Sequence, residues 1–197
     1  MALTKIPEEM IDASAGSADE VLTTDGTDAT WAAAAGGGGI TQADSWELTT
    51  SFTGGAAPIA TNLAQASGTG FETLGDGMSQ SAGIFTFPST GYWAVLALFN
   101  FRKEGDSAYN QAKIMVAVDA GDGDTYSAVV IGETSMTQHD SANMRTSCVC
   151  YALVDVTSVT TVKVRFDVAS AGSATLVFGA AAGYYSTSFH FLRLGDT

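Results

Sequence analysis

Residues 91–101 read GYWAVLALFNF, and this stretch decides the fold of the chain. Hydrophobic side chains occupy both alternating sets of positions, so a β-strand formed here is apolar on both of its faces. Such a strand belongs in the interior of a sheet, where the protein core covers one face and a partner chain or a second sheet covers the other. We therefore expect residues 91–101 to form a central strand.

The sequence around this strand has the pattern of an all-β protein. From Ile40 onward, short runs with apolar residues at every second position are separated by Gly, Asp, Ser and Asn. The clearest run, VTTVKVRFDV, alternates valine and phenylalanine on one face with Lys163, Arg165 and Asp167 on a solvent-facing side. Such runs, WELTTSF and TSCVCYALV among them, predict about nine or ten strands in an antiparallel two-sheet jelly-roll sandwich.

Charge and hydropathy exclude several classes of partner. The chain has 8 Lys and Arg against 21 Asp and Glu, a net charge of −13, which repels nucleic acid and anionic lipid. No run of 18 apolar residues is present, so we expect no membrane insertion, and the first eleven residues lack the apolar core of a secretory signal. We expect the chain to fold in the cytoplasm of the cell that makes it.

The N-terminal part differs from the remainder. We assign residues 1–35 to an extended, acidic anchoring arm, residues 36–39 to a glycine linker and residues 40–197 to a head domain. Within the arm, VLTT and TDATW flank Asp25 and Gly26, a two-residue hairpin turn signal. Because an isolated two-stranded hairpin is marginal in water, we expect it to be stabilised by other copies or by a partner, with Leu22 and Trp31 as apolar contacts.

Two cysteines and an acidic loop are the candidate ligand groups. Cys148 and Cys150 share one face of a predicted strand, too far apart for an unstrained disulfide, and are expected to be buried thiols. A zinc site would need His139 and His190 as further ligands. Residues 119–126, DAGDGDTY, favour a hairpin tip. The alternative is a weak calcium site whose ligands would be Asp119, Asp122 and Asp124. No other cofactor is expected.

The sequence gives little support for catalysis. His139, Asp140 and Ser141 have the residue types of a hydrolase triad, but side chains of sequence neighbours diverge and cannot align as nucleophile, base and orienting acid. The four glycines of the linker lack the lysine that a phosphate-binding loop requires. We therefore expect the protein not to be an enzyme.

Two stretches of the head carry a recognisable motif, SAGIFTFPSTGYWAVLALFNF and the closing run STSFHFLRL. Its positions are Gly83, Phe85, Pro88, Gly91, Tyr92, Phe99, Phe189 and Leu192. With this motif the head resembles the complement globular-head and tumour-necrosis-factor jelly roll. The resemblance implies a homotrimer in which three jelly rolls pack around a threefold axis.

The arm resembles a second group of proteins. Residues 16–32, GSADEVLTTDGTDATWA, are similar to a short element of fibre and other virion proteins of tailed bacteriophages. The matching positions are Gly16, Val21, Leu22, Asp25, Gly26, Trp31 and Ala32. This resemblance implies a structural protein located in the virion, whose residues 1–35 bind other virion proteins. Its head would be a short fibre that attaches to a host surface glycan or protein, or a capsid decoration.

One further function stays open at this point. Tyr92 and Trp93 begin the central strand, and Tyr184 and Tyr185 follow a small-residue run. Aromatic side chains are favoured in cores and subunit interfaces, and also on surfaces that bind sugars. The alternative function is therefore a glycan-binding or glycan-cleaving trimeric module.

Overall fold

The computed structural model describes residues 20–24, 27–33, 39–67, 72–103, 107–120, 125–137, 144–170, 175–179 and 187–197. Within these ranges all regular secondary structure is β-strand. No helix among them is long and apolar enough to cross a membrane. The chain divides into two units, Met1–Gly39 and Ile40–Thr197.

The first unit contains one antiparallel strand pair, β1 (Glu20–Thr24) and β2 (Ala29–Ala33). Leu22 lies directly opposite Trp31, and the Thr23 hydroxyl donates a hydrogen bond to the Thr30 carbonyl. The pairing runs from Glu20 opposite Ala33 to Thr24 opposite Ala29. Asp25 and Gly26 lie outside the described residues, so the turn expected there stays a prediction.

The second unit consists of two antiparallel sheets. The five-stranded sheet contains β6 (Ser79–Ser81), β7 (Ile84–Thr86), β9 (Ser107–Ala117), β10 (Ser127–Met136) and β12 (Lys163–Ser170), in the order β10-β9-β12-β7-β6. The seven-stranded sheet contains β3 (Ala43–Leu48), β4 (Phe52–Thr53), β5 (Leu63–Gln65), β8 (Gly91–Lys103), β11 (Met144–Val156), β13 (Leu176–Val177) and β14 (Ser188–Gly195). The predicted all-β antiparallel sandwich is confirmed.

Strand β8 is the centre of the seven-stranded sheet. β11 pairs with it along one whole edge, from Gly91 opposite Val156 to Lys103 opposite Met144. β14 and β13 share the other edge. The prediction of a central strand is thus confirmed, and its two-sided apolar pattern is explained by the position it occupies.

An aromatic cluster joins the two sheets. Phe166 on β12 stacks on Phe189 of β14, with ring centroids 4.1 Å apart, and Phe85 on β7 contacts both rings. Phe99 on β8 and Phe191 on β14 extend the cluster. All five rings are buried. Because large aromatic rings bury more apolar area than other side chains, this cluster is the main hydrophobic contact between the sheets.

The backbone conformation requires glycine at two positions of the motif that resembles the tumour-necrosis-factor jelly roll, Gly83 and Gly91. Gly91, the first residue of β8, has φ 131°, and a Cβ there would collide with the carbonyl oxygen of Gly195. Gly83 has φ 81°, and a Cβ there would collide with the carbonyl oxygen of Ile59. Both positions combine a positive φ with a close backbone approach, which glycine alone accommodates.

A buried carboxylate holds the start of β3 in place. Asp44 accepts hydrogen bonds from the Trp46 indole N–H at 2.8 Å, from the Met78 backbone N–H at 2.7 Å and from the Gln65 amide at 2.9 Å. These donors belong to β3, to β5 and to the segment before β6. Because each carboxylate oxygen is satisfied by protein donors, this acid has a structural role.

Two details differ from the sequence-based expectation. WELTTSF does not form one strand: β3 ends at Leu48 and β4 begins at Phe52. β3 pairs with β14 and β5, whereas β4 pairs with β13, so the two parts of the run lie at different places in the seven-stranded sheet. The polar face of β12 is also not fully solvated. The Arg165 guanidinium lies 4.4 Å from the Tyr126 ring centroid and pairs with the buried Asp167 at 3.1 Å.

Replacing Phe189 tests the role of the aromatic cluster. Phe189→Ala removes a fully buried ring that contacts both sheets, so we expect the free energy of unfolding to fall by about 3–5 kcal/mol. The measurement is urea-induced unfolding followed by near-UV circular dichroism. The matched control is Leu194→Ala on the same strand, where the side chain is exposed and the expected change is within about 0.5 kcal/mol. Equal losses in the two variants would contradict the assignment.

Candidate functional site

The candidate functional site is the side of β8 and β11 that points away from the core. Val149, Tyr151 and Leu153 on β11 are 60%, 55% and 57% exposed. Beside them on β8 lie Leu96 and Leu98, which are partly buried, and Tyr92, which is exposed. We call these six side chains the association face: Tyr92, Leu96, Leu98, Val149, Tyr151 and Leu153.

Strand register places these side chains next to one another. Tyr151 is directly opposite Leu96, and Val149 is directly opposite Leu98. The intervening residues of β11, such as Cys150 and Ala152, point inward and are buried. Because side chains opposite each other on neighbouring strands are in contact distance, the association face is continuous. A continuous exposed apolar surface is characteristic of a site that binds another molecule.

A histidine borders the association face. His190 on β14 lies opposite Leu96, and its two ring nitrogens are hydrogen-bonded to serine hydroxyls, Nδ1 to Ser45 at 2.9 Å and Nε2 to Ser188 at 3.1 Å. Burial lowers the pKa of His190 from its ordinary value. The imidazole is therefore neutral at pH 7, so this position adds no charge to the apolar surface.

The neighbouring acid is also affected by burial. Glu47 on β3 lies opposite Ser188, and its Oε2 is buried without a hydrogen-bond partner among the described residues. Burial raises the pKa of Glu47. At this margin of the sheet, burial favours the uncharged form of both Glu47 and His190.

The two ends of the surface carry opposite charges. At one end Asp155 on β11 lies opposite Tyr92. At the other end Arg145 on β11 lies opposite Arg102 on β8. The uncharged middle and the charged ends give the surface a direction along the strands, which restricts how another molecule can bind to it.

The cysteines are buried thiols, as predicted. Cys148 and Cys150 are free and lie on the core side of β11, where the Cys150 thiol donates to the Ala112 carbonyl at 3.4 Å. Their sulfur atoms fill the space that a Cβ on Gly132 would need. Burial raises the pKa of Cys148. Burial, together with the nearby Cys148, raises the pKa of Cys150 to about 12.

The zinc alternative with His190 as ligand is wrong, because His190 and Cys150 lie on opposite faces of the same sheet. His139 lies outside the described residues. Among the residues that the structure does describe, no group of three His, Cys, Asp or Glu side chains could hold a metal ion.

The acidic loop is described only in part. Asp119 follows β9, and its buried Oδ1 has no hydrogen-bond partner in the described part of the chain. Asp122 and Asp124 lie outside the described residues, so the calcium alternative stays a prediction. The strands on either side, β9 and β10, are paired antiparallel.

The residues of the family-like motif have two different locations. Phe85, Phe99 and Phe189 belong to the aromatic cluster, and Pro88 lies in the connection between β7 and β8. Tyr92 belongs to the association face instead. The motif therefore marks mainly the core of the sandwich, not a ligand site.

Sequence analysis missed the contribution of β11. Alternation in TSCVCYALV predicts a strand with one buried face, yet residues 148–154 are apolar or aromatic at every position. The same two-sided pattern that identified β8 was therefore available for β11. Its outward residues are exposed because they lie on the side of the seven-stranded sheet that faces away from the core.

Of the comparisons with known proteins, only the one with solved structures gives matches. No protein-family model and no curated protein matches the sequence. Among solved structures, Eiger TNF from S. frugiperda is similar with a TM-score of 0.58 and 12% identity, over 81% of this chain and 96% of that one. Murine APRIL at pH 8.5 has a TM-score of 0.52 and 9% identity, over 78% of this chain and 98% of that one. The second unit has a tumour-necrosis-factor-like jelly-roll fold.

This jelly roll confirms the fold predicted from SAGIFTFPSTGYWAVLALFNF and the closing STSFHFLRL. Murine APRIL at pH 5.0 gives the same result, with a TM-score of 0.53 and 10% identity. At such identities the likeness concerns the arrangement of strands alone. The function of a jelly roll depends on the side chains at its surface, and these differ from one jelly roll to another.

Thiol labelling tests the environment of the cysteines. Because the thiolate is the reactive form and burial raises both pKa values, native chain at pH 8 is expected to react with iodoacetamide at least about a hundredfold more slowly than chain unfolded in urea. Intact-mass spectrometry over time measures the difference. Rapid labelling of either cysteine in the native chain would contradict the buried position.

Proposed function

We propose that this chain is a homotrimeric structural protein of a bacteriophage virion. Its residues 1–35 bind other virion proteins, and its jelly-roll head projects as a short fibre for host attachment or as a capsid decoration. The observation that carries the assembly is the association face, where three large apolar side chains of one strand are each more than half exposed. Burying them against other copies removes apolar surface from water.

The position of β11 supports assembly through this face. β11 has thirteen residues and lies at an edge of the sheet within the described structure. Its outward side from Val149 to Leu153 has no charged side chain. A long apolar edge strand invites association unless charges or another chain protect it. A closed ring of copies provides that protection, and the tumour-necrosis-factor resemblance favours three.

The arm supports attachment to a larger particle. Val21 and Leu22 on β1 are each 44% exposed, and Leu22 lies across the strand pair from Trp31. A pair of five-residue strands buries little surface and is marginal by itself. A partner that covers these apolar side chains would stabilise the hairpin. The similarity of residues 16–32 to a virion-protein element supports another phage protein as that partner.

Light scattering coupled to size-exclusion chromatography tests assembly. We expect the native chain to have about three times its mass of 20.2 kDa. Leu153→Asp places a charge in the middle of the association face and is expected to give monomers, because an unpaired charge in an apolar interface is strongly unfavourable. The matched control is Ile131→Asp, which changes an equally exposed apolar residue on β10 of the other sheet and should leave the trimer intact.

A monomeric native chain at micromolar concentration would contradict the trimer. A trimer that Leu153→Asp leaves unchanged would show that assembly uses another surface. Circular dichroism of both variants establishes that the head is folded in each case.

Immunogold electron microscopy of purified phage particles tests the location. We expect antibody against this chain to label particles of the phage that encodes it, and the labelled position to distinguish the two roles. Label on the capsid indicates decoration, and label on the tail or on a projecting fibre indicates attachment. Particles without the chain, shown by absence of label and of its peptides in mass spectrometry, would overturn the virion proposal.

A glycan-binding module is the second candidate. Tyr92 and Tyr151 expose aromatic rings on the same side of the sheet, and such rings can stack on sugars. Assembly through the association face would cover these rings, whereas glycan binding requires that they remain accessible.

A further inference from the structure

Two arginines converge at one end of the seven-stranded sheet. Arg102 lies on β8 and Arg145 on β11, while Phe178 directly follows β13 on the other side of β8. The guanidinium carbon of Arg102 is 5.6 Å from the centroid of the Phe178 ring, and that of Arg145 is 5.1 Å from the same centroid. Residues from three adjacent strands thus form one cluster, which we call the arginine cluster.

This arrangement brings like charges together. Arg102 and Arg145 are directly opposite in the β8–β11 register, a position where like charges repel each other. Long arginine side chains at a surface can separate, but here both lie over one ring. The cation–π attraction between each guanidinium and the ring favours this position for both side chains.

The positive charge of the cluster is not neutralised within the described structure. Neither guanidinium forms an ion pair with a carboxylate of the described residues, although other arginines do, Arg165 with Asp167 and Arg193 with Asp196. The chain has 21 acidic and only 8 basic residues, so acidic partners are plentiful. Arg102 and Arg145 nevertheless differ from Arg165 and Arg193 in forming no ion pair with a described carboxylate. Two of these rare cations are placed together over one ring.

We propose that Arg102 and Arg145, positioned by Phe178, bind an oxyanion: a carboxylate or a phosphate group of another molecule. A planar guanidinium donates two parallel hydrogen bonds to such groups, and an anion between two cations removes their mutual repulsion. Phe178 restricts both side chains before binding, which reduces the entropy that binding costs. The inference concerns a single chain and does not depend on the trimer or on the virion location.

Isothermal titration calorimetry on the full-length chain tests the proposal with two probes, inorganic phosphate and a polyglutamate peptide. Each titration is made at constant ionic strength, with sodium chloride as the non-specific reference. We expect saturable binding of at least one probe, weakened by about tenfold or more in Arg102→Gln and in Arg145→Gln. Lys113→Gln, which removes one positive charge from the other sheet, is the matched control and should change the affinity by less than about twofold.

The two probes distinguish the source of the oxyanion. Saturable, arginine-dependent binding of phosphate supports a site for a small free anion, and such binding of the peptide alone supports a site for an acidic protein segment. The Arg102→Lys and Arg145→Lys variants keep the charge and lose the planar fork, so we expect intermediate affinity. Thermal unfolding of each variant shows whether the head remains folded.

Absence of saturable binding to both probes, or equal affinity in the arginine variants and in Lys113→Gln, would overturn the proposal. Light scattering of the same samples measures the mass independently. A monomer that binds the oxyanion would contradict the trimer alone, and a trimer that binds neither probe would contradict the arginine cluster alone.

Discussion

The contact between Phe166 and Phe189 is the interaction on which the rest of this structure depends. One ring comes from the five-stranded sheet and the other from the seven-stranded sheet, and they stack with centroids 4.1 Å apart. Because side chains alternate along a strand, fixing these two rings inward also fixes which residues of β12 and β14 point outward. The neighbouring strands follow through their register, so β8 and β11 turn Phe99 and Cys150 to the core and Leu98 and Tyr151 to the outside.

The association face has properties that none of its residues shows alone. Val149, Tyr151 and Leu153 give it an apolar middle, and burial at its margin favours the neutral forms of His190 and Glu47. Charge is confined to the ends. A partner that covers the middle removes apolar area from water, and the ends favour one direction of approach. The proposed self-association would use the apolar middle of the sheet, and the proposed oxyanion binding would use the arginine end, so the two proposals involve different residues.

The fold and the proposed role rest on different kinds of support. Similarity to Eiger TNF and to murine APRIL, at 12% and 9% identity, shows how the strands are arranged. A jelly roll provides two sheets and many loops, and it carries unrelated functions in different proteins. The virion proposal comes from the N-terminal element, and the assembly proposal comes from the exposed side of β11. A result that contradicts the virion location would therefore leave the assembly proposal unaffected, and the reverse also holds.

Sequence patterning was sufficient to predict the all-β class, the central position of β8 and the inward face of β12, because the periodicity of apolar residues is a local property of a strand. It also identified Gly83 and Gly91, whose motif positions the backbone restricts to glycine. The tertiary structure was needed to show that β3 and β4 are separate strands and that the outward side of β11 is exposed. It alone brought Arg102, Arg145 and Phe178 together. These features depend on which strands are neighbours and in what register, and pairings between residues far apart in the chain leave no periodic signal in the sequence.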